Sequence, residues 1–81
     1  MNPKIKTFSI GDVQKMTDVS QRQLRRWEGR YFPEPERIVC GDRAYRRYTS
    51  KDVEMIRKIK HYQDQGFTLT AASKFAEQEV K

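Results

Sequence analysis

The 81-residue sequence contains one cysteine and one histidine, and this scarcity excludes two ways of stabilising a small fold. Cys40 alone cannot form a disulfide within the chain, and together with His61 it falls short of the ligand set of a zinc site. The sequence therefore predicts no metal and no cofactor. A single free thiol also suits a reducing compartment, so we expect a cytoplasmic protein.

Long apolar runs are missing as well. No stretch approaches the roughly 18 consecutive apolar residues that would cross a bilayer, and the N-terminal Met-Asn-Pro-Lys-Ile-Lys lacks the apolar core of a signal peptide. We therefore expect no membrane-spanning segment. The sequence also offers no nucleophile with a neighbouring base and no glycine-rich phosphate loop, so we expect it not to be an enzyme.

Positive charge is what the sequence has in excess. Lys and Arg total 17 against 11 Asp and Glu, which gives a formal net charge of +6. Eight of the nine arginines lie between Arg22 and Arg47, whereas the lysines lie outside that interval. Arginine is the better residue for bidentate recognition of phosphate or guanine. The middle of the chain is therefore predicted to contact a polyanion such as nucleic acid.

A first short helix and a turn are predicted near the N-terminus. Residues 7–10 could form a short extended piece, but Ser9 and Asp12 also make a capping pair for a helix. The inward face of this helix is expected to consist of Ile10, Val13 and Met16. Val19, in the turn that follows, is expected to point inward between two helices.

A second helix is predicted from a cap at Ser20 to Tyr31, ended by Pro33 and Pro35. Leu24, Trp27 and Tyr31 fall on its apolar side, and Gly29 on the opposite side would leave room for close approach. That opposite side carries the first four candidate binding residues, which are Gln21, Arg22, Arg25 and Arg26. Two helices joined by a short turn predict a helix-turn-helix, whose second helix typically enters the major groove of DNA.

A β-hairpin, or wing, is predicted over about residues 37–48, with Gly41-Asp42 as its tight turn. Arginine and tyrosine alternate on its second strand, a mixture that suits a sugar-phosphate backbone. The candidate backbone contacts are Arg43, Tyr45, Arg46 and Tyr48. One of the two tyrosines is expected to pack inward.

Two further helices are predicted to complete the domain. The third begins with a capping pair of Thr49 and Asp52 and ends at Gln65-Gly66, with Phe67 packing back on it. The fourth is expected to bury a stripe of Leu69, Ala72, Phe75 and Ala76.

The predicted fold is mostly α with a small β-hairpin wing, a winged helix-turn-helix of about four helices. Its predicted divisions are a flexible basic lead-in at 1–6 and one domain at 7–81, with the helix-turn-helix at about 10–30, the wing at about 37–48 and a helical pair at about 50–80.

Four short strings of residues follow one another in a distinctive order and spacing. They are Phe8-Ser9-Ile10-Gly11-Asp12-Val13, Leu24-Arg25-Arg26-Trp27-Glu28, Arg46-Arg47-Tyr48 before Asp52-Val53, and Gly66-Phe67-Thr68-Leu69. In this arrangement they resemble the N-terminal DNA-binding domain of MerR-family bacterial transcription regulators over about residues 7–76. By position, the resemblance implies that Arg25 is the recognition-helix arginine, Trp27 the second aromatic and Glu28 the acid at the helix end. It also implies that Arg46 and Tyr48 are the wing pair.

The sequence departs from the family pattern in three respects. Arg26 replaces the first aromatic of the recognition string, so base preference cannot be copied from relatives. The wing holds two overlapping candidates, of which Arg43-Ala44-Tyr45 is favoured by Gly41 and Arg46-Arg47-Tyr48 by its spacing to Asp52. The long pairing helix and the effector-binding segment of the family do not appear. The chain is then either an excised domain of a longer regulator or one of the small winged proteins that work without these segments. We expect a monomer for the chain as given and a homodimer for a full-length parent.

Taken with the resemblance, the sequence predicts sequence-specific binding of double-stranded DNA by a domain of a bacterial transcription regulator. Such a protein is expected in the cytoplasm, at the nucleoid when bound. Two alternatives remain open at this point. One is an excisionase-like architectural DNA-binding protein, which also uses a small winged helix. The other is a protein-interaction module whose basic face docks an acidic partner.

Overall fold

The computed structural model describes residues 6–80, and the predicted lead-in, apart from Lys6, lies outside the described residues. Seven elements follow one another: β1 (Thr7–Phe8), α1 (Ile10–Thr17), α2 (Gln21–Trp27), β2 (Glu36–Cys40), β3 (Arg43–Thr49), α3 (Ser50–Asp64) and α4 (Leu69–Val80). The predicted winged helix-turn-helix of four helices is confirmed. Between residues 6 and 80, no helix is both long and apolar enough to cross a membrane.

The first helix begins and ends as its local sequence dictates. The Ser9 hydroxyl accepts a hydrogen bond from the Asp12 amide at 3.2 Å, and the Asp12 carboxylate accepts one from the Ser9 amide at 3.4 Å. This reciprocal pair satisfies amide donors that the helix itself leaves free. At the other end, Asp18 adopts the left-handed conformation at φ 62°, which turns the chain out of the helix. Val19 is then completely buried, as predicted.

The second helix is shorter than the sequence predicts. It begins as expected, with the Ser20 hydroxyl accepting a hydrogen bond from a backbone amide of the first turn at 3.2 Å. It ends at Trp27 rather than before Pro33. Gly29 takes a positive φ of 76°, and its amide closes a tight turn by donating to the Phe32 carbonyl at 2.8 Å. The prediction that Gly29 opens space on a helical face is therefore wrong.

The predicted wing is present, and a third strand joins it. β2 and β3 pair antiparallel with Cys40 opposite Arg43, so that Gly41-Asp42 forms a two-residue turn. Gly41 has a φ of 64°, which glycine adopts without steric cost. The two residues of β1 pair with the C-terminal end of β3, which gives the strand order β1-β3-β2. The central β3 thus connects the wing to the start of the chain.

The last two helices form a helical hairpin that packs beneath the other elements. α3 starts with a reciprocal cap, in which the Thr49 hydroxyl and the Asp52 carboxylate accept amide hydrogen bonds at 3.1 and 2.9 Å. Beyond its end, Gly66 takes a φ of 102°. The Phe67 amide then donates to the Tyr62 carbonyl at 3.1 Å, and the two rings lie 5.8 Å apart. The predicted stop and the return of Phe67 onto α3 are confirmed.

One core connects the helix-turn-helix, the sheet and the helical hairpin. Its buried apolar residues are Val13, Val19, Leu24, Trp27, Phe32, Tyr48, Val53, Met55, Ile56, Ile59, Ala72 and Ala76. Two predicted core positions are wrong, since Met16 is 37% exposed and Phe75 is 39% exposed. In α1, Thr17 is buried in place of Met16, and its hydroxyl donates to a backbone carbonyl one turn earlier at 2.7 Å. In α4 the Phe75 ring instead packs on Phe67 at the outer end of the helical hairpin, at 5.2 Å.

Tyr48 is the largest side chain that the core buries completely. Its ring lies 6.3 Å from that of Phe32, and its hydroxyl has no hydrogen-bond partner among residues 6–80. Burial raises the pKa of the phenol to about 12. The expectation that one wing tyrosine packs inward is confirmed. Because that residue is Tyr48, the sequence-based interpretation of its phenol as a DNA contact is corrected: it is enclosed in protein.

We expect Tyr48→Phe to leave the free energy of unfolding at neutral pH unchanged, or to raise it by up to about 1 kcal/mol, because it removes an unpaired buried hydroxyl. The folded protein retains the phenolic proton to higher pH than the unfolded chain does. Wild-type stability should therefore fall as the pH rises from 10 towards about 12, and the variant should lose less. Chemical denaturation across this pH range measures both effects. A marked destabilisation of the variant at neutral pH would contradict the absence of a hydrogen bond to the Tyr48 hydroxyl.

Candidate nucleic-acid interface

The solvent-facing side of α2 carries three arginines. Leu24 and Trp27 are buried on the opposite side, and this packing sets the rotation of the helix about its axis. The exposed arginines are Arg22, Arg25 and Arg26. Within residues 6–80, none of the three forms a salt bridge with an acidic side chain. Their guanidiniums are therefore available to an external ligand.

Gln21, the first residue of α2, is half-buried and lies against the start of α1. Its Nε2 atom would stand 3.8 Å from a Cβ atom added at Gly11, so the amide covers the first turn of α1. Gln21 therefore lies at the margin of the arginine face, the surface formed by Arg22, Arg25 and Arg26, where the two helices begin side by side.

The turn after α2 adds a fourth exposed arginine, which the sequence analysis did not single out. The Arg30 amide donates to the Trp27 carbonyl at 3.0 Å, which holds the turn against the end of the helix. Arg30 lines an open surface groove of about 670 Å³ together with Arg25, Arg26 and Tyr31. The residue was missed because the predicted helix continued through this position. Several guanidiniums around one groove suit an anionic oxygen ligand.

β3 divides the four wing candidates between its two faces, because side chains alternate along a strand. Arg43 and Tyr45 lie on one face, and both are exposed to solvent. Arg46 and Tyr48 lie on the other face, which turns towards the core. The structure therefore brings the Arg43-Ala44-Tyr45 candidate, rather than Arg46-Arg47-Tyr48, to the surface.

Arg46 is engaged inside the protein. Its Nε atom donates to Oε2 of Glu28 at 2.8 Å, and its Nη2 atom donates to Oε1 at 2.9 Å. Arg37, directly opposite Arg46 in the wing, donates from Nη2 to the same Oε1 at 3.1 Å. The interpretation of Arg46 as a phosphate contact is corrected accordingly, because its fork already holds a carboxylate and its side chain is only 24% exposed.

The electrostatics of this cluster follow from its hydrogen bonds. The bonds from Arg46, above all, hold the pKa of the Glu28 carboxyl below its ordinary value, against the effect of burial. The same contact raises the pKa of Arg46. Both groups therefore remain charged. The sequence analysis noted Glu28 only as a helix-end acid and missed this network.

Arg47, the neighbour of Arg46, fastens the first strand to the sheet. Its Nε atom donates to the Thr7 hydroxyl at 3.0 Å, and its Nη2 atom donates to the Thr7 carbonyl at 3.1 Å. Adjacent arginines on β3 thus point to opposite faces, and each is held by a different part of the chain.

The end of α2 adjoins the base of the wing. Glu28 links the same two elements directly, because it follows the last residue of α2 and bonds to both wing strands.

The chemistry available to this surface is hydrogen bonding by fixed positive charge. Guanidiniums donate in a planar fork that matches phosphate oxygens or the edge of guanine. In the described part of the chain, no cluster of His, Cys, Asp and Glu side chains is arranged to hold a metal ion. Cys40 is exposed near the tip of the wing.

Comparison with known proteins agrees with this geometry. Residues 8–79 match the family model described as MerR HTH family regulatory protein. Two proteins of Myxococcus xanthus are similar to the chain. The HTH-type transcriptional repressor CarH is 31% identical over a match that covers 90% of this chain and 24% of that protein. The HTH-type transcriptional repressor CarA is 34% identical over a match that covers 82% of this chain and 23% of that protein. The chain thus spans about a quarter of the length of these relatives. With the family model covering nearly all of the chain, and with the winged helix-turn-helix in place, the chain belongs to the MerR family of helix-turn-helix regulatory proteins.

Proposed function

We propose that this domain binds double-stranded DNA at specific sequences, with α2 in the major groove and the end of the wing on the neighbouring backbone. The observation that carries the proposal is the exposed set of Arg22, Arg25 and Arg26, free of salt bridges within residues 6–80, on the second helix of a helix-turn-helix. In this fold the second helix is the one that reads base edges.

The arginines of α2 are proposed to provide base recognition. A guanidinium can form two parallel hydrogen bonds with O6 and N7 of guanine, and such a pair contributes about 1–3 kcal/mol of discrimination against another base. Gln21 lies at the beginning of the helix, where an amide can recognise adenine in the same bidentate manner. Arg30 and the groove beside it are suited to a flanking phosphate.

The wing is proposed to contact the backbone through Arg43 and Tyr45. Both are exposed near the hairpin turn, where a guanidinium and a phenol can donate to phosphate oxygens. Arg46 and Tyr48 would support this contact from the inner face of the wing. The roles of the two overlapping Arg-x-Tyr candidates thus differ.

The chain is proposed to be the DNA-reading part of a bacterial transcription regulator that acts in the cytoplasm, at the nucleoid. The relatives are named as transcriptional repressors, and this domain corresponds to about a quarter of each of them. We propose that the domain by itself is monomeric and binds half-sites weakly. A full-length parent would dimerise through a segment outside these residues. We assign no catalytic step to the domain.

Binding should weaken steeply with salt, because neutralised phosphates release condensed counterions. If about five to seven phosphates are contacted, the logarithm of the association constant should fall against the logarithm of salt concentration with a slope of roughly −5 to −6. Fluorescence anisotropy with a short labelled duplex, titrated at several salt concentrations, gives this slope. A slope near zero would contradict an electrostatic interface.

Arg25→Ala should abolish a particular base preference, whereas Arg43→Ala should weaken all duplexes alike and reduce the salt slope by about 1. Selection of bound duplexes from a random pool, followed by titration of the selected site, distinguishes these results. Arg57→Ala is the matched control, because it removes the same charge from α3, where Arg57 donates to a backbone carbonyl at 3.3 Å. If the wild-type domain selects no sequence, or if Arg25→Ala selects the same one, the proposed base reading fails.

Sedimentation analysis of the 81-residue chain should give a single species at the monomer mass of 9.7 kDa. The arginine face is positively charged, so self-association through it would bring like charges together. A stable dimer in the absence of DNA would contradict the proposed monomer.

A further inference from the structure

Glu28 is an acidic residue at a position where a negative charge is unfavourable. It follows the last residue of α2, and the dipole of a helix disfavours an anion at its C-terminal end. It also lies beside a surface proposed to bind a polyanion. Its side chain is only 10% exposed, so it is not an ordinary solvated surface charge. These features require a compensating role within the protein.

The contacts of Glu28 indicate what that role is. Arg37 and Arg46 stand directly opposite each other on the two wing strands, and like charges in such positions destabilise a sheet. The Glu28 carboxylate accepts three hydrogen bonds from this pair, at 2.8, 2.9 and 3.1 Å. One anion thus relieves the repulsion of two cations and joins both strands to the end of α2.

The backbone of Glu28 is itself held in place. Its amide donates to the Leu24 carbonyl at 3.1 Å, and the residue forms a parallel bridge with Phe32. Leu24 and Phe32 are both buried in the core. The carboxylate therefore projects towards the wing from a fixed point, and a displacement of the wing base would break its hydrogen bonds.

We propose that Glu28 is a positioning residue, which sets the wing against the recognition helix and thereby increases DNA affinity although it carries a negative charge. This inference rests on the proposed function, in which α2 and the wing meet one duplex together. Glu28 would act through Arg37 and Arg46 and would not touch DNA. In its absence the wing would sample more orientations, and the entropy of ordering it would oppose binding.

Two substitutions that remove the same charge from the same region separate positioning from simple electrostatics. Glu28→Gln presents an amide donor to the Arg46 fork in place of an acceptor oxygen, which breaks the bidentate pair. Glu36→Gln is the matched control, because Glu36 is exposed on β2 and forms no salt bridge within residues 6–80. If only net charge mattered, both variants would bind DNA more tightly, and by a similar factor.

Positioning predicts opposite results for the two variants. Glu28→Gln should bind the selected duplex about tenfold more weakly than the wild type, within the usual range for the loss of a coupled pair. Glu36→Gln should bind as tightly as the wild type, or more tightly. Anisotropy titrations at one salt concentration make the comparison. Equal or tighter binding by Glu28→Gln would overturn the proposal.

Hydrogen exchange of the free domain tests the contact without DNA. Amides of residues 36–49 should exchange faster in Glu28→Gln than in the wild type or in Glu36→Gln, while amides within α3 keep their protection. If α3 loses protection as well, the fold itself has weakened, and Glu28→Asp then serves as the second variant. Because Glu28→Asp retains the charge, it should partly restore both the protection of the wing amides and the affinity for DNA. Unchanged wing exchange would refute the positioning role even if wild-type DNA binding failed. Failure of the wild type to bind any duplex would instead refute the proposed function.

Discussion

The burial of Leu24 and Trp27 on one side of α2 is the constraint on which the rest of the interface depends. A helix of seven residues is far too short to persist alone in water, so packing rather than helix propensity maintains it. The same packing determines its rotation and leaves three arginines facing outward. The exposed arginine surface is thus a consequence of the core, and Val19, buried in the turn between the two helices, adds to the same packing.

The arginines that make the chain basic serve different purposes. Arg46 and Arg37 hold Glu28, and Arg47 holds Thr7, so these residues join the strands to each other and to the residue after α2. The arginines of α2 and Arg43 remain exposed. The total charge of the sequence therefore overstates the charge available to DNA. Membership of the MerR family accounts for the order of the elements, while the ion pairs explain how this chain joins them.

Local chemistry explains which features the sequence could predict. The caps at Ser9 and Thr49 and the turn at Gly41 involve residues close in sequence, and they were predicted correctly. The end of α2 was not, because Pro33 shows only where a helix cannot continue, whereas the chain already leaves the helix at Glu28, where φ is −61° and ψ is 136°. The Glu28 network joins residues nine and eighteen positions apart in the chain, and spacing alone cannot distinguish a paired arginine from a free one. The alternation of β3 was the overlooked signal, since an inward Tyr48 carries Arg46 to the same face.

The division of α2 into a buried and an exposed side has a consequence for how new target sequences can arise. Stability resides in Leu24 and Trp27, while Arg22 and Arg26 make no ion pair within residues 6–80. If these arginines read bases as proposed, mutation could alter the preferred operator without first weakening the fold, which would suit the domain to divergence or redesign. This freedom would end at Glu28, the residue after α2, because its carboxylate is bonded to Arg37 and Arg46 of the wing.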